Sequence, residues 1–468
     1  MCGILGTSSH NSAYECYRGL LAVQHRGQDS AGILSFDGIV HLKKEKGLVL
    51  NVFNKEELSK LEGFNAIGHV RYLTTGTSTL SEAQPFFLSY PCGIGLAHNG
   101  NITNFKELKK ELEERNRCIH SKSDTEVMIN ILSEELVKND TFGAIHECMK
   151  KIEGSYSAVV LLPKKLVAFR DPYGIRPLVF GEKTSLNGNA FSFASESVGL
   201  DVNGYSLIRD LLPGEAIVIE DNKVEKRVLC PKGRAHCMFE WVYFSRPDSV
   251  IEGKSVYEAR IELGRNIEFE GEGDVVIPVP DTARTAALGF SEKYGIKHRE
   301  GLIKNRYVGR TFIMPSQVSR DIAVRDKLNV IKGEIRGKKV ILVDDSIVRG
   351  TTSRRIVSML RSNGAKEVHM VSTCPPIKHP CYYGIDMPTE SELIAATDTD
   401  IVAEKIGADS VTYQTIKGLI KAIGLKKEDL CLACLNGDYP THIPEEVRKG
   451  LTRAREYERE ADCKVGVI

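Results

Sequence analysis

Cysteine at position 2, followed by Gly3, puts a thiol next to the start of the chain. Removal of Met1 ahead of so small a residue leaves that thiol beside its own free α-amine. An unperturbed α-amine titrates near pH ~8, so it can take the thiol proton without help from a distant base. That is how N-terminal nucleophiles work. A lone Cys2 is weak support, but other residues strengthen it. A thiolate that cleaves an amide needs donors for the developing oxyanion. The segment 98-HNGN-101 offers the backbone N–H of Gly100 beside the side-chain amide of Asn99, although HNG alone is more often a turn. An amino-acid amide also needs a cation for its α-carboxylate and an anion for its α-amine. Arg71 in 69-HVRYLTTG-76 and Asp124 in 121-SKSDTE-126 carry those charges, though each taken singly reads as an ordinary salt-bridge residue.

A second set of residues sits far along the chain. In 340-VILVDDSIVRGTTS-353 an apolar run delivers Asp344 and Asp345 to a polar turn that opens a helix. Backbone N–H groups around Arg349 and Gly350, with the hydroxyls of Ser346, Thr351 and Thr352, suit a phosphate at a helix N-terminus. The two carboxylates suit sugar hydroxyls, directly or through Mg²⁺, which prefers oxygen ligands. The stretch 304-KNRYVGRTFIMPSQ-317 gathers Lys304, Arg306 and Arg310 around a glycine, as a basic flap closing over a polyanion would. It also reads as an exposed basic loop. Finally, 431-CLAC-434 places Cys431 and Cys434 close enough to grip a metal, and is equally compatible with a redox pair or zinc.

The elements that must position these groups fall into two patterns. Strand-like runs at 66–72, 93–100 and 156–163 dominate the first half, interrupted by helices expected over 103–116 and 123–137, the latter with Ser123 as a cap. These predict antiparallel sheets with helices outside. Beyond about residue 235 the order becomes helix 255–270, strand 274–280, strand 338–345, helix 353–364 and strand 368–376. Continuous apolar strands alternating with helices predict an α/β parallel sheet. The boundaries expected are 2–235, 236–442 and a charged helical extension over 443–468, with neither internal repeats nor low-complexity segments.

Bulk properties narrow the class. Of 468 residues, 63 are Lys or Arg and 62 Asp or Glu, so a net charge of +1 argues against nucleic acid or membrane as a partner. No apolar run reaches the ~18 residues of a membrane span, and the start MCGILGTSSH lacks the basic, apolar character of a secretory signal. A cytoplasmic location is expected. Twelve cysteines without a signal read as reduced thiols or ligands rather than a disulfide framework. Cys16, Cys92, Cys118, Cys148, Cys230, Cys374 and Cys463 read as simple burial.

Taken in order, Cys2, 25-HRGQDSAG-32, 69-HVRYLTTG-76, 98-HNGN-101 and 123-SDTE-126 resemble the class II, N-terminal-nucleophile glutamine amidotransferases. The resemblance implies a four-layer αββα sandwich, with Cys2 as nucleophile and base. It also implies Asn99 and Gly100 as the oxyanion hole, and Arg71, Asp124 and backbone near Gly27 as glutamine contacts. The 340–353 segment resembles the phosphoribosyl pyrophosphate (PRPP) signature of type I phosphoribosyltransferases. With 239-FEWVYFSRPDS-249, 278-PVPDTAR-284 and 380-PCYYGIDMP-388, the whole is similar to the glutamine PRPP amidotransferase family.

That similarity implies transfer of ammonia from glutamine to C1 of PRPP, giving 5-phosphoribosylamine, glutamate and pyrophosphate, the committed step of purine synthesis. It implies Asp281, Thr282, Lys304, Arg310, Asp344, Asp345, Ser346, Arg349, Gly350, Thr351 and Thr352 around PRPP, with Mg²⁺ at Thr282, Asp344 and Asp345. It implies a loop over 304–317 that closes and completes an ammonia channel, purine nucleotides as feedback inhibitors, and a homotetramer or dimer. Cys237 and Cys381 match cysteines of the family's cluster-bearing branch, so with Cys431 and Cys434 they imply a [4Fe–4S] cluster in preference to zinc. That branch often carries a propeptide before the nucleophile, whereas here only Met1 precedes Cys2. Two alternatives are a different class II amidotransferase, such as a hexosamine-forming aminotransferase or an asparagine synthetase, and a regulator that senses PRPP without turning it over. The 340–353 segment argues against the first. The joint presence of Cys2, Arg71 and Asp124 argues against the second.

Overall fold

The computed structural model describes residues 2–72, 80–185, 188–305 and 328–449. Two antiparallel sheets carry the first half. The larger has seven strands, with Gly3–Ser8 between Gly188–Ala194 and Asn65–Arg71, and Ser30–Phe36 beyond the latter. The smaller has six, with Gly154–Leu162 between Lys165–Arg170 and Ile94–Ile102. Ile4, Leu34, Ile67 and Phe193 from one sheet interdigitate with Ala97, Val159, Leu161 and Leu166 from the other. Burying each large apolar side chain there contributes roughly 1.5–3 kcal/mol. Helix Ser12–Ala22 packs through Cys16 and Leu20 on the outer face of the seven-stranded sheet. Helices Phe105–Glu114, Asp124–Leu136 and Thr141–Lys151 cover the other outer face. The result is the expected αββα stack.

The helices begin and end close to the sequence reading, with local exceptions. Ser123 does sit ahead of Asp124–Leu136, yet its hydroxyl bonds the Thr125 hydroxyl at 3.1 Å and caps no backbone N–H. The helix expected over 255–270 covers only Val256–Arg265. Beyond it Ile267 and Phe269 turn inward against Val276 and Phe290, and that burial ends the helix early.

The second half holds a four-stranded parallel sheet, ordered Val275–Pro278, Lys339–Asp344, Glu367–Ser372, Ser410–Tyr413. The register pairs Pro278 with Val343 and Asp344 with Ser372. The loops after Pro278 and after Asp344 therefore leave the same carboxyl-terminal edge, where ligands bind in open α/β sheets. Ser410–Tyr413 was not foreseen: it is a half-buried strand of four residues and lacks the continuous apolar run that marks its neighbours.

Between the two sheet systems lies a third core, built on Trp241, Tyr383, Ile377 and Leu419. Cys237, Cys431 and Cys434 are buried in it, and Cys381 packs against it. Strand His236–Cys237 pairs with Leu430–Cys431, so residues nearly 200 positions apart lie side by side. Of the charged extension, residues 443–449 are described and 445–449 are helical; the rest lies outside the described residues.

Candidate functional site

Strand Gly3–Ser8 presents Cys2 at its start, and the neighbouring strand Asn65–Arg71 ends where it begins, because Gly3 pairs with Val70. The nucleophile and Arg71 are thus brought to one corner by sheet register alone. From the facing sheet, Asn99 accepts a hydrogen bond from the Cys2 backbone N–H through Oδ1 at 3.2 Å. The Asn99 side chain is 1% exposed, and its Nδ2 has no partner among the described residues. A buried, unpartnered N–H costs stability unless something accepts from it. Beside Cys2, such a donor can bond an oxygen that becomes negative. Gly100 lies so close to Ser155 that an added Cβ would stand 1.9 Å from its carbonyl oxygen, so the backbone here can carry no side chain.

Arg71 donates through Nη2 to Glu82 at 2.7 Å, while its buried Nη1 has no partner among the described residues. One arm of the guanidinium is anchored, and the other can bond a carboxylate. Gly27 packs directly on the Arg71 backbone, where a Cβ would come within 2.5 Å of the carbonyl carbon. Asp124 opens its helix, accepts from the Ile102 backbone N–H at 3.1 Å and lies 3.4 Å from the His98 ring. Burial alone would raise the Asp124 carboxyl. The nearby His98 and the N–H groups of Ile102 and Thr125 outweigh burial and hold it below the usual carboxylate value. Asp124 therefore stays an anion. Cys2, Gly27, Arg71, Asn99, Gly100 and Asp124 are all placed by these two sheets and by the segments that join them.

The second site gathers at the carboxyl edge of the parallel sheet. Asp344 is 7% exposed and accepts from the Asp345 backbone N–H at 2.9 Å, and the Ser346 hydroxyl donates to Asp345 at 2.7 Å. Burial pushes both carboxyls above their ordinary values, and the charge of Asp345 adds to the rise at Asp344. Such a pair calls for a cation between it and solvent, and oxygen donors suit Mg²⁺. Gly350 adopts φ +72°, and an added Cβ would meet Ile394 at 2.5 Å. It precedes helix Thr351–Ser362, whose first N–H groups receive no side-chain cap, leaving them to an anion. Arg349 reaches Glu392 at 3.6 Å. On the adjacent loop Asp281 meets Lys304 at 3.2 Å, so the base of the expected flap touches the loop that bears Asp281 and Thr282. Residues 306–317, with Arg306 and Arg310, lie outside the described residues, as does the 73–76 part of the Arg71 segment.

The four cysteines named for a cluster are free thiols sharing one core. Burial pushes the Cys237 thiol up to about 11 and raises Cys431 and Cys434 further, so these three do not ionise without a positive partner. Four soft donors in an apolar setting fit an iron–sulfur cluster or zinc in kind. Among the described residues, no three His, Cys, Asp or Glu side chains converge tightly enough to hold one ion.

A profile of the glutamine amidotransferase domain matches residues 69–201, and one of the phosphoribosyl transferase domain matches 255–400. An amidophosphoribosyltransferase of Methanothermobacter thermautotrophicus is 46% identical over 475 residues, covering 99% of this chain and 98% of that one. The chain belongs to the amidophosphoribosyltransferase family. The family relative from Methanocaldococcus jannaschii is 48% identical over 468 residues, covering 95% of this chain and 98% of its own. The solved Bacillus subtilis glutamine PRPP amidotransferase, complexed with ADP and GMP, superposes with a TM-score of 0.88. It is 41% identical and covers 95% of this chain and 98% of its own. Among the described residues no helix is long and apolar enough to cross a membrane.

Several residues that build the site carried no assigned role in the sequence reading. Arg26, fully buried, donates to the Cys2 carbonyl at 3.1 Å and to Glu240 at 2.8 Å. Tyr382 and Tyr383 carbonyls accept from Asn101 and Ser155 at 2.8 and 3.0 Å, so the Cys381 segment abuts the strand that bears Asn99 and its neighbour in the sheet. Arg26 lay inside a quoted segment. Its partners are 170 and 214 positions away, beyond any periodicity.

Proposed function

We propose that residues 2–235 form a glutaminase unit, that residues 236–442 form a phosphoribosyltransferase unit, and that the first feeds ammonia to the second. The chain is an amidophosphoribosyltransferase, converting glutamine, PRPP and water to 5-phosphoribosylamine, glutamate and pyrophosphate at the first step of purine biosynthesis. One observation carries the residue assignments: Asn99 grips the Cys2 backbone with its oxygen and leaves its buried N–H aimed at no one.

With Met1 removed, the Cys2 amine takes the thiol proton, and the thiolate attacks the glutamine amide. Gly100 N–H and Asn99 Nδ2 receive the oxyanion. Arg71 Nη1 holds the α-carboxylate and Asp124 the α-amine. The tetrahedral adduct collapses, expelling ammonia as the amine returns its proton, and water then frees glutamate from the thioester. In the second unit Ser346, Arg349, Gly350, Thr351 and Thr352 hold the 5′-phosphate. Asp281, Thr282, Lys304 and Arg310 face the pyrophosphate, while Asp344 and Asp345 orient the ribose hydroxyls. Thr282, Asp344 and Asp345 would hold Mg²⁺, which would supply positive charge for the departing pyrophosphate. Closure of 304–317 over PRPP keeps water out.

Cys237, Cys381, Cys431 and Cys434 hold a [4Fe–4S] cluster in this reading. A cluster spans more space than one zinc ion, and so suits thiols that share a core without meeting at a point. Purine nucleotides act as feedback inhibitors on a homo-oligomer, in keeping with the ADP and GMP complex of the B. subtilis relative. Among the described residues eleven cysteines are free, which accords with a reducing, cytoplasmic setting.

The test compares glutamine hydrolysis with and without PRPP and Mg²⁺ in wild type and Cys2→Ser. Glutaminase activity surviving in Cys2→Ser would overturn the reading. Cys2→Ser should still make phosphoribosylamine from added ammonia.

A further inference from the structure

Strand Ile94–Ile102 turns successive side chains to opposite faces. Asn99 faces Cys2, and His98, the residue before it, faces the start of helix Asp124–Leu136. His98 is 2% exposed, and its backbone N–H donates to Gln84 Oε1 at 2.7 Å. Its ring stands between a hydroxyl and a carboxylate. Nδ1 lies 2.9 Å from the Thr125 hydroxyl oxygen, and Nε2 lies 3.4 Å from Asp124 Oδ2.

A chain of hydroxyls decides which ring nitrogen carries the hydrogen. The Ser123 hydroxyl donates to the Thr125 hydroxyl at 3.1 Å. Thr125 is fully buried, and among the described residues its own proton has no hydrogen-bonded acceptor but His98 Nδ1. Nδ1 therefore accepts, and in the neutral ring the hydrogen sits on Nε2. The loop that starts the chain is itself pinned. The Ser123 N–H donates to the Ser121 hydroxyl at 3.1 Å, and Glu126 accepts from the Ser121 and His120 N–H groups at 2.7 and 3.0 Å. At the other end, Nε2 is buried and makes no hydrogen bond among the described residues. At 3.4 Å from Asp124 it stands just outside bonding distance, the kind of gap that closes once a ligand fills a site. The Ile102 N–H addresses the same oxygen, Oδ2, at 3.1 Å. Two donors aimed at one oxygen fix the turn of the carboxylate.

We propose that His98, held in its Nε2–H form by Ser123 and Thr125, is the positioning residue that orients the Asp124 carboxylate, and through it sets the selectivity of the glutaminase site for substrates with an α-amine. The proposal rests on the assignment of the glutamine α-amine to Asp124. With Oδ2 claimed by Ile102 and His98, Oδ1 takes the ammonium. A neutral ring orients Asp124 without cancelling the negative charge that the ammonium needs. One strand thus serves both ends of the substrate, the amide through Asn99 and the amine through His98.

The experiment follows hydrolysis of isotope-labelled glutamine by the full chain, with PRPP and Mg²⁺ present, and uses two competitors: L-glutamate, and glutarate, which is glutamate without its amine. The ratio of their inhibition constants reads what the amine contributes. In His98→Asn, whose amide can meet Thr125 but falls short of Asp124, that ratio should fall about five- to tenfold, the size of one hydrogen bond. The glutamine KM should rise by the same factor while kcat stays within about threefold. His98→Gln, whose amide reaches where Nε2 stood, should recover most of the loss. Equal weakening of both competitors, or a fall in kcat with KM and the ratio unmoved, would mark His98 as structural only and overturn the proposal. If His98→Asn does not fold, Thr125→Val keeps the shape of the threonine and frees the ring hydrogen to sit on either nitrogen. It should lower the ratio about two- to fivefold, and an unchanged ratio there overturns the proposal equally. Asp124→Asn separates the two levels. If it leaves the ratio unchanged, the assignment of the amine to Asp124 fails and the proposal with it; if it lowers the ratio where His98→Asn does not, only the proposal fails.

Discussion

Replacing Asn99 with alanine tests the geometry at Cys2 most directly. The side chain does two jobs in a site where it is 1% exposed: Oδ1 accepts from the Cys2 backbone at 3.2 Å, and Nδ2 waits without a partner. Loss of the first contact removes a hydrogen bond from the Cys2 nitrogen, ~0.5–1.5 kcal/mol while that nitrogen is uncharged, and one made before the oxyanion forms. Loss of the second removes a donor used only once the oxyanion forms. Removing one such donor costs roughly 10²–10³-fold in kcat, ~2.7–4 kcal/mol. The expected result is therefore a fall in kcat of about that size, with the glutamine KM moving less than about threefold. Asn99→Asp, nearly the same shape but an acceptor where the donor stood, should lose at least as much. Glutamate release at saturating PRPP and Mg²⁺ measures this, with ammonia-dependent synthesis as the control for an intact second site. A kcat within about threefold of wild type, or a loss confined to KM, would show that Asn99 Nδ2 is not the oxyanion donor.

Other expectations are equally direct. Arg71→Gln should raise the glutamine KM by ten- to a hundredfold, about the worth of one charge-assisted contact, and leave ammonia-dependent synthesis intact. Because Asp124 is held below the usual carboxylate value, its contribution to stability is present above the unfolded value and is lost as pH falls through the lower folded value. Asp124→Asn should therefore lower Tm at pH 7, and the gap to wild type should close only below about pH 4. Gly350→Ala forces a side chain to φ +72° against Ile394, at a cost of about 1–3 kcal/mol. It should weaken PRPP binding while PRPP-independent glutamine hydrolysis persists. Anaerobically purified protein should contain iron and inorganic sulfide, both lost in Cys434→Ser; zinc without iron would overturn the cluster.

Much of the chemistry was legible because it is local. Cys2 beside Gly3, the Asn99–Gly100 pair and the run from Val340 to Ser353 each place donors and acids within a few residues, so spacing shows what chemistry they could support, while the resemblance to a family supplies the roles expected of them. The alternation of strand and helix after residue 235 likewise predicts a parallel sheet, and the sheet brings Asp281 and Asp344 to one edge as that topology requires. The helix end at Arg265 and the short strand Ser410–Tyr413 were not legible, because tertiary burial decides them rather than local pattern.

The amino-acid sequence by itself determined which groups can react: a thiol able to use its own amine, a pair of acids on a strand end, and two cysteines one turn apart. Only the tertiary structure decided how they are held. It anchored one arm of Arg71 on Glu82, freed the Asn99 N–H, and drew Cys237 beside Cys431. It also buried Arg26 between acids from both halves of the chain. Buried charges must find partners wherever the fold brings them, and those partners lie too far apart in sequence for any local rule to pair them.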